Sequence, residues 1–369
     1  MRPQLKPTNP AYRVGDTILL QQTGTMLEIE DDDGDVAELL ALLDGTRPPA
    51  EVELEFRRRR PGSAFDVAAG LAQLDEAGLL ADADATAGST LSDYERERWK
   101  RNLGFFETYA NLATSKYSMQ ERLRDCKVAL LGMGGVGSHI SLDLLGLGVR
   151  DLRIVDFDKI ELSNLNRQVL YTEADIGQRK LPAALKRLQA YYPAADIDGQ
   201  ELRLGSVRDV ETVVADRDFV ICCVDRPKVH VNLWVNEACV RARVPYTGGG
   251  VQMQRSILYL IIPGVTGCVE CWRRSAADGE GEQALRRQLE ERHAAEPGIG
   301  PDMAAFGPMV TTLTAMIVTE FVRFVTGIAP PMAAGQLIEM NFADLAPTVS
   351  ERWERRADCA VCGEVTPSS

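Results

Sequence analysis

A strand, a glycine-rich turn and a helix follow one another from Val128 onward, and this succession restricts the fold more than any other stretch. The apolar run Val128 to Leu131 is typical of a buried parallel strand, and an apolar-periodic helix begins near Ser138. Glycine lets backbone N–H groups approach a phosphate, and a helix N-terminus adds a favourable dipole. The pattern predicts a Rossmann-like nucleotide site, with a glycine turn that binds nothing as the alternative. The glycines are Gly132, Gly134, Gly135 and Gly137.

Two later strands are predicted to end in acidic residues. The strand LRIVD ends in Asp156, which is 24 residues after Gly132 and close to the usual position of a ribose-binding acid. A further strand, DFVICCVD, ends in Asp225. Because open α/β sheets bind ligands at the carboxyl ends of their strands, both acids are expected at the nucleotide site.

The segment that follows Asp156 carries a specific motif. It reads DFDKIELSNLNRQVLY as far as Tyr171, and GQRK then ends at Lys180, thirteen residues past Arg167. This pattern resembles the ThiF/MoeB/HesA family, the ubiquitin-activating type of adenylating enzyme. The wording GMGGVGS and KIELSNLNRQVL is most similar to the MccB-like members, which modify the C-terminus of a microcin peptide. The resemblance covers roughly residues 95 to 363.

The resemblance implies adenylation of a carboxyl group by ATP, a reaction catalysed mainly by positioning and by neutralising phosphate charge. It assigns the ribose to Asp156, and Mg²⁺ to Asp225. The family has an asparagine after this second acid, whereas this chain has Arg226, so the contacts at that position are left open. Asp158 is interpreted as a metal contact, a support for one, or a plain turn aspartate. The residues that would contact the triphosphate or flank its contacts are Asn164, Arg167, Gln168 and Lys180.

Residues 1–86 differ from the rest of the chain in their sequence pattern and are predicted to form a small winged-helix domain. Two strand-like runs, Tyr12 to Gln21 and Thr25 to Glu30, suggest a hairpin. One helix is predicted over Asp35 to Leu43, and another is predicted to be capped by Ser63. The domain is similar to the PqqD-like leader-recognition domain, which implies that a leader peptide is bound as an added strand.

Two alternatives for this domain stay open. It could pack on the enzyme without binding a peptide, or it could bind DNA. The arginines from Arg57 to Arg60 are the only support for DNA binding, and they are more typical of a solvated helix end. The acidic run from Glu28 to Asp35 would repel a phosphate backbone.

Residues 87–94 are predicted to link this domain to an adenylation domain that spans residues 95–369. The sequence RWKRN that follows resembles the family element R-Y-x-R-Q, whose second arginine enters the ATP site of the partner subunit. The resemblance therefore implies a homodimer, with Arg101 acting across it and Arg98 as the alternative. A plain surface arginine is the simpler interpretation.

Four of the eight cysteines form two C-x-x-C pairs, a spacing typical of a closed structural zinc site. Redox-active or unligated cysteines are the alternative. A transthiolating enzyme would need a nucleophilic cysteine between the two pairs, and the sequence has none there. The paired residues are Cys268, Cys271, Cys359 and Cys362.

Composition excludes several other classes of protein. The net charge of −13 argues against nucleic acid as a main partner. The apolar helix from Leu313 to Val325 contains charged residues, which favours a buried helix over a membrane span. The N-terminus has no apolar signal segment, and the cysteine content does not indicate a disulfide scaffold, so a cytoplasmic location is expected.

Together these features predict ATP-dependent adenylation of the C-terminal end of a ribosomally made precursor peptide, with Mg²⁺ and a structural zinc ion. The segment between Trp272 and Pro308 corresponds to a crossover loop in the resembled family. Two alternatives remain: activation of a ubiquitin-like sulfur-carrier protein, and non-catalytic delivery of a leader peptide to a partner cyclodehydratase. The complete set of ATP-handling residues favours an enzyme.

Overall fold

A computed structural model describes residues 1–22, 24–227, 230–252, 254–278 and 305–366. The predicted crossover loop lies largely outside these described residues. The chain forms two compact units, Met1–Arg122 and Leu123–Ser369. These units divide later in the chain than the predicted domains, whose boundaries at 86 and 94 stay a prediction.

The first unit contains two small antiparallel sheets. Strands β1 and β5 pair with each other, and β2, β3 and β4 form a meander in that order. The predicted run from Tyr12 to Gln21 is therefore two strands rather than one. A turn at Gly15 separates them, and its φ of 63° is easily adopted only without a Cβ. The strands are β1 (Pro3–Leu5), β2 (Ala11–Val14), β3 (Thr17–Gln22), β4 (Thr25–Glu30) and β5 (Leu80–Asp82).

Seven helices, α1 to α7, complete the described part of this region. The first matches its prediction to within one residue, but the third is capped by Asp66, which accepts a hydrogen bond from the Ala69 N–H at 2.9 Å. The predicted cap, Ser63, instead donates its hydroxyl to Asp35 Oδ2 at 2.6 Å. The helices are α1 (Asp35–Leu42), α2 (Pro49–Arg59), α3 (Val67–Glu76), α4 (Ala85–Gly88), α5 (Asp93–Arg98), α6 (Lys100–Glu107) and α7 (Lys116–Asp125).

The first three helices bury one apolar face against β3. Leu39, Val52 and Phe56 are fully buried in this cluster together with Leu20 of the strand. The arginines predicted to form a solvated helix end do lie at the end of α2. Arg58 and Arg59 pair there with Glu55 on the same helix. Such exposed pairs neutralise charge but contribute little stability.

An eight-stranded sheet forms the centre of the second unit, in the order β13-β12-β11-β10-β9-β6-β7-β8. The five strands from β10 to β8 are parallel, and the other three are antiparallel. The predicted α/β class with a mainly parallel sheet is thus confirmed. The strands are β6 (Lys127–Leu131), β7 (Asp151–Val155), β8 (Asp196–Gln200), β9 (Phe219–Cys222), β10 (Tyr246–Gln252), β11 (Arg255–Ile261), β12 (Gln336–Asn341) and β13 (Pro347–Arg352).

Strand order reverses at β6, because β7 lies on one side of it and β9 on the other. Strand β9, and β6 after Lys127, are continuous apolar runs, as expected for strands covered on both faces. A crevice at the carboxyl ends of such strands is the standard ligand site of open α/β sheets. The glycine turn that follows β6 therefore lies where a ligand is expected.

The helices of the second unit connect and cover these strands. The longest, α13, packs against α8, β10 and β11. It is long and apolar enough to cross a membrane, but 56% of its most apolar window is buried within the protein, as the prediction of a core helix requires. The described helices are α8 (Gly135–Leu147), α9 (Lys180–Tyr191), α10 (Val207–Val214), α11 (His230–Ala242), α12 (Val269–Asp278) and α13 (Gly307–Thr326).

Candidate functional site

The turn between β6 and α8 requires glycine for steric reasons at two positions. Gly132 has a φ of 95°, and a Cβ there would lie 3.0 Å from the carbonyl oxygen of Cys223. A Cβ on Gly137 would collide with the carbonyl oxygen of Gly132. Gly135 is restricted by side chains, since a Cβ would lie 3.2 Å from Arg167 and Val310. The turn is consequently held tightly against its neighbours.

Gly137→Ala is expected to lower the free energy of unfolding by about 3 kcal/mol or more, because the new Cβ would collide with the Gly132 carbonyl and both belong to the backbone framework, which cannot easily move. Gly134→Ala is a matched control in the same turn, since its Cβ would have no heavy atom closer than 3.9 Å. Its effect should stay below about 1 kcal/mol. Urea unfolding of both variants measures the difference. Equal stability of the two would contradict the packing described for this turn.

Asp156 follows β7 and organises the turn through its carboxylate. The side chain is only 7% exposed. Oδ2 accepts the N–H of Met133 and Oδ1 accepts the N–H of Asp158, both at 2.7 Å. Burial raises the pKa of Asp156, and the charge of Lys180 and the two N–H bonds oppose that rise. The role of Asp156 in holding a ribose stays a prediction.

Lys180 is the first residue of α9 and is almost fully buried, with 5% of its surface exposed. Its Nζ donates to Asp158 Oδ2 at 3.0 Å, and its backbone N–H donates to the Asp158 carbonyl at 2.9 Å. The buried ammonium group, beside the carboxylates of Asp156 and Asp158, is a fixed positive charge near the carboxyl end of β7. Such a charge suits phosphate binding.

The S-N-L-x-R-Q segment forms a short 3₁₀ turn between these acids and α9. Asn164 is buried and its Oδ1 accepts the N–H of Glu161 at 3.1 Å. Arg167 donates from Nη1 to the Ser163 carbonyl at 3.0 Å and to Asn166 Oδ1 at 2.8 Å. Gln168 is 3% exposed, and its Oε1 has no hydrogen-bond partner among the described residues. A buried acceptor of this kind is suited to a ligand donor.

Asp225 lies three residues after the end of β9 and is exposed to solvent. The structure thus brings Asp156, Asp225 and the glycine turn to the carboxyl ends of three adjacent strands, as the strand pattern predicts. Arg101 is exposed on α6 in the first unit. Its action across a dimer, and the choice between it and Arg98, stay predictions.

The four paired cysteines come together in the second unit, as predicted. All four are buried, and their sulfur atoms lie within 4.8 Å of one another. Cys268 Sγ lies 3.7 Å from Cys359 Sγ and 3.9 Å from Cys271 Sγ. A tetrahedral site with zinc–sulfur bonds of about 2.3 Å places its sulfur atoms about 3.8 Å apart, so this donor set fits zinc. Four thiolates would leave no open position, so a metal ion held here would be structural.

Hydrogen bonds from neighbouring side chains fix the segments that carry these cysteines. Arg355 donates to the carbonyl oxygens of Cys362 at 2.9 Å and Gly363 at 3.0 Å. The Trp353 indole N–H donates to the Gly267 carbonyl at 2.9 Å, and its ring stacks on Trp272 with centroids 4.9 Å apart. Both C-x-x-C segments are therefore held in place by contacts within the protein itself.

The remaining cysteines behave as core residues. Burial raises the pKa of Cys126 and of Cys222 to about 12. Thiols of this kind stay protonated near neutral pH and are poor nucleophiles. Cys222, which lies in the apolar strand β9, therefore contributes to packing.

Tyr171 is a residue that the sequence pattern did not single out. Its hydroxyl donates to the Met133 carbonyl at 3.0 Å, inside the glycine turn, and the side chain is 6% exposed. Burial raises the pKa of this phenol, so it remains a donor. Its position immediately after the R-Q-V-L stretch was the only available signal, and apolar periodicity treats it as an ordinary core residue.

Residues 106–361 match the sequence profile of the ThiF family. The chain belongs to the ThiF family. It is 28% identical to the molybdopterin-synthase adenylyltransferase of Escherichia coli over 74% of this chain and 99% of that protein. It is 29% identical to the E. coli sulfur carrier protein ThiS adenylyltransferase, over 66% of this chain and 88% of that protein. Membership of the ThiF family confirms the predicted enzyme class, an ATP-dependent adenylyltransferase.

The fold is similar to that of E. coli MccB over the whole chain. The MccB structure superposes with a TM-score of 0.77 at 23% identity, over 100% of this chain and 99% of that one. MccB in complex with AMPCPP and MccA gives a TM-score of 0.76 at 22% identity, over 98% and 100% of the two chains. At this identity the likeness shows a shared fold, including the part of the chain outside the ThiF match.

Proposed function

We propose that this chain uses ATP to adenylate the C-terminal end of a ribosomally made precursor peptide. The observation that carries the proposal is the likeness to MccB along the full length of both chains. MccB, a microcin C7 biosynthetic enzyme, has been solved with AMPCPP and with N-formylated MccA. The molybdopterin-synthase adenylyltransferase of E. coli is matched over 99% of its length yet leaves about a quarter of this chain unmatched.

The N-terminal unit supplies a surface that suits a leader peptide. Strand β2 forms one edge of the three-stranded sheet, and all four of its residues are exposed. Edge strands present unpaired backbone groups that an extended peptide can join as an additional strand. In this proposal residues 1–86 of this unit form a winged-helix, PqqD-like leader-recognition domain.

The second unit supplies the groups that the reaction needs. A terminal carboxylate oxygen attacks the α-phosphorus of ATP, the bond to the β-bridging oxygen breaks, and pyrophosphate leaves. Lys180 and Arg167 neutralise the phosphates, the glycine turn offers N–H groups, and Asp156 holds the ribose. Asn164 and Gln168 contact the nucleotide, while Asp225, supported by Asp158, would hold the Mg²⁺ that neutralises phosphate charge. Arg101 enters from the partner in a homodimer, and zinc stabilises the cysteine site.

Activation of a small sulfur-carrier protein is the second candidate. It is favoured by the sequence relatives, which are 28% and 29% identical and are named for molybdopterin synthase and for ThiS. The two candidates share the adenylation chemistry and differ in the protein that presents the carboxylate. Only the substrate dependence of the reaction separates them.

ATP–pyrophosphate exchange tests the proposal when it is combined with mass spectrometry of the acceptor. Purified protein receives ATP and Mg²⁺ with either a synthetic precursor peptide encoded beside the gene or purified ThiS. We expect exchange and an AMP-linked product only with the peptide. Exchange only with ThiS would establish the second candidate. Tight peptide binding without any exchange would indicate that the protein is a non-catalytic leader-peptide carrier.

Asp225→Ala serves as the inactive variant in this experiment, and Asp196→Ala is its matched control. Asp196 is also an exposed acid and is the first residue of β8, so it lies at the amino end of the same parallel sheet. We expect exchange to fall about 100-fold or more with Asp225→Ala and to persist with Asp196→Ala. Equal rates in the two variants would remove Asp225 from the proposed metal site.

A further inference from the structure

Met133 stands inside the glycine turn and is held at both ends of its backbone. It is completely buried. Its N–H donates to Asp156 Oδ2 at 2.7 Å, and its carbonyl oxygen accepts the Tyr171 hydroxyl at 3.0 Å. The first contact comes from the end of β7, and the second comes from the loop before α9. Two side chains that are distant in sequence therefore fix one residue of the turn.

The contact from Tyr171 determines more than the position of Met133. The Met133 carbonyl and the Gly134 N–H belong to one planar peptide group and point in opposite directions. A hydrogen bond that fixes the carbonyl consequently fixes the direction of the Gly134 N–H. This group stands at the N-cap of α8, where the first N–H groups have no partner within the helix and can bind an anion.

Glycine at position 134 makes such a restraint necessary. Gly134 has φ −77° and ψ −150°, and rotation of the preceding peptide plane by half a turn would bring φ into the positive region. Glycine occupies that region about as readily as the negative one. Without a bond to the Met133 carbonyl, the N–H could turn away from a phosphate at little cost.

We propose that Tyr171 is a positioning residue for the nucleotide: its hydroxyl holds the Met133–Gly134 peptide so that the Gly134 N–H faces the phosphates of ATP. The inference rests on the proposed binding of ATP at this turn. It does not depend on which peptide or protein is adenylated. The hydroxyl acts through the backbone and takes no part in bond formation.

Tyr171→Phe removes the hydroxyl and keeps the ring that fills the core. Tyr246→Phe is the matched control, because Tyr246 is another buried tyrosine that donates its hydroxyl at 2.9 Å, but to Asn236 Oδ1. Calorimetric titration with AMPCPP and Mg²⁺ should show a Kd about 10-fold higher for Tyr171→Phe and unchanged for Tyr246→Phe. The KM for ATP should rise in parallel, while the KM for the peptide stays constant.

A double variant separates positioning from packing. Alanine at 134 disfavours the positive φ that a rotated peptide plane needs, and its Cβ fits. Adding Tyr171→Phe to Gly134→Ala should therefore weaken AMPCPP binding much less than Tyr171→Phe does alone. If Tyr171→Phe does not fold by itself, Gly134→Ala and the double variant still form a comparison, in which we expect only a small loss of AMPCPP binding. An equal loss in both backgrounds would mean a merely structural tyrosine.

The remaining outcomes are distinct. The same Kd for wild type and Tyr171→Phe would overturn the role of Tyr171 and leave the proposed function intact. Failure of the folded wild-type protein to bind AMPCPP would overturn the proposed function itself. Circular dichroism and thermal unfolding of each variant establish that it is folded before the titrations are compared.

Discussion

The Lys180→Met enzyme is expected to catalyse ATP–pyrophosphate exchange about 100- to 1,000-fold more slowly than wild type. Lys180 is a buried ammonium group whose Nζ lies 3.0 Å from Asp158 Oδ2. Methionine keeps the apolar stem but removes the positive charge. The negative charges of Asp156 and Asp158 are then no longer neutralised when the triphosphate binds. Repulsion between these carboxylates and the phosphates then opposes both binding and charge development in the transition state.

Lys186→Met is the control for this change. Lys186 is exposed on the same helix, α9, and its replacement removes the same charge from the protein as a whole. Exchange should stay within about twofold of wild type, because exposed charges are screened by solvent. Rates are measured at saturating peptide, and thermal unfolding confirms that both variants are folded. A Lys180→Met rate within threefold of the control would show that this charge does not serve the phosphates.

Cys359→Ala is expected to abolish zinc binding and to lower the midpoint of thermal unfolding by about 10 °C or more. Three thiolates remain, and they repel one another in a buried site unless they take up protons. The second C-x-x-C segment then loses its connection to the first. Metal content measured by atomic emission should fall from about one zinc per chain to nearly none.

Cys239→Ala controls for the loss of a buried sulfur atom. Cys239 is fully buried in the same hydrophobic cluster, and burial raises the pKa of its thiol well above the usual value. This variant should keep its zinc and lose only the packing of one small side chain. Equal metal content in Cys359→Ala and Cys239→Ala, or wild-type protein that binds no zinc, would contradict a structural zinc site.

The central strand and its turn could be predicted because several local signals agree. A run of apolar residues with no polar interruption indicates a strand covered on both faces, and the glycines that follow it leave few other conformations. The observed β6 and α8 begin within three residues of their predicted starts. The cysteine pairs could be predicted equally well, because two thiols separated by two residues can bind the same metal ion.

The features that were missed depend on contacts between distant residues. Both Ser63 and Asp66 are good helix caps, and the choice falls to Asp66 because the Ser63 hydroxyl is engaged by Asp35. The hydroxyl of Tyr171 finds its acceptor 38 residues away in the chain. Local sequence patterns describe neither partner, so these roles became visible only in three dimensions.

The four-cysteine site has a consequence for how chains of this kind can vary. Its sulfur atoms bring together positions 91 residues apart, so a metal ion held by them would close a ring that contains α13, β12 and β13. Closing a flexible loop becomes only about 0.6 kcal/mol more costly with each doubling of its length. Segments between the strands of the ring could therefore lengthen or shorten during evolution while its two ends stay fastened, and new substrates could be accommodated without rebuilding the nucleotide crevice.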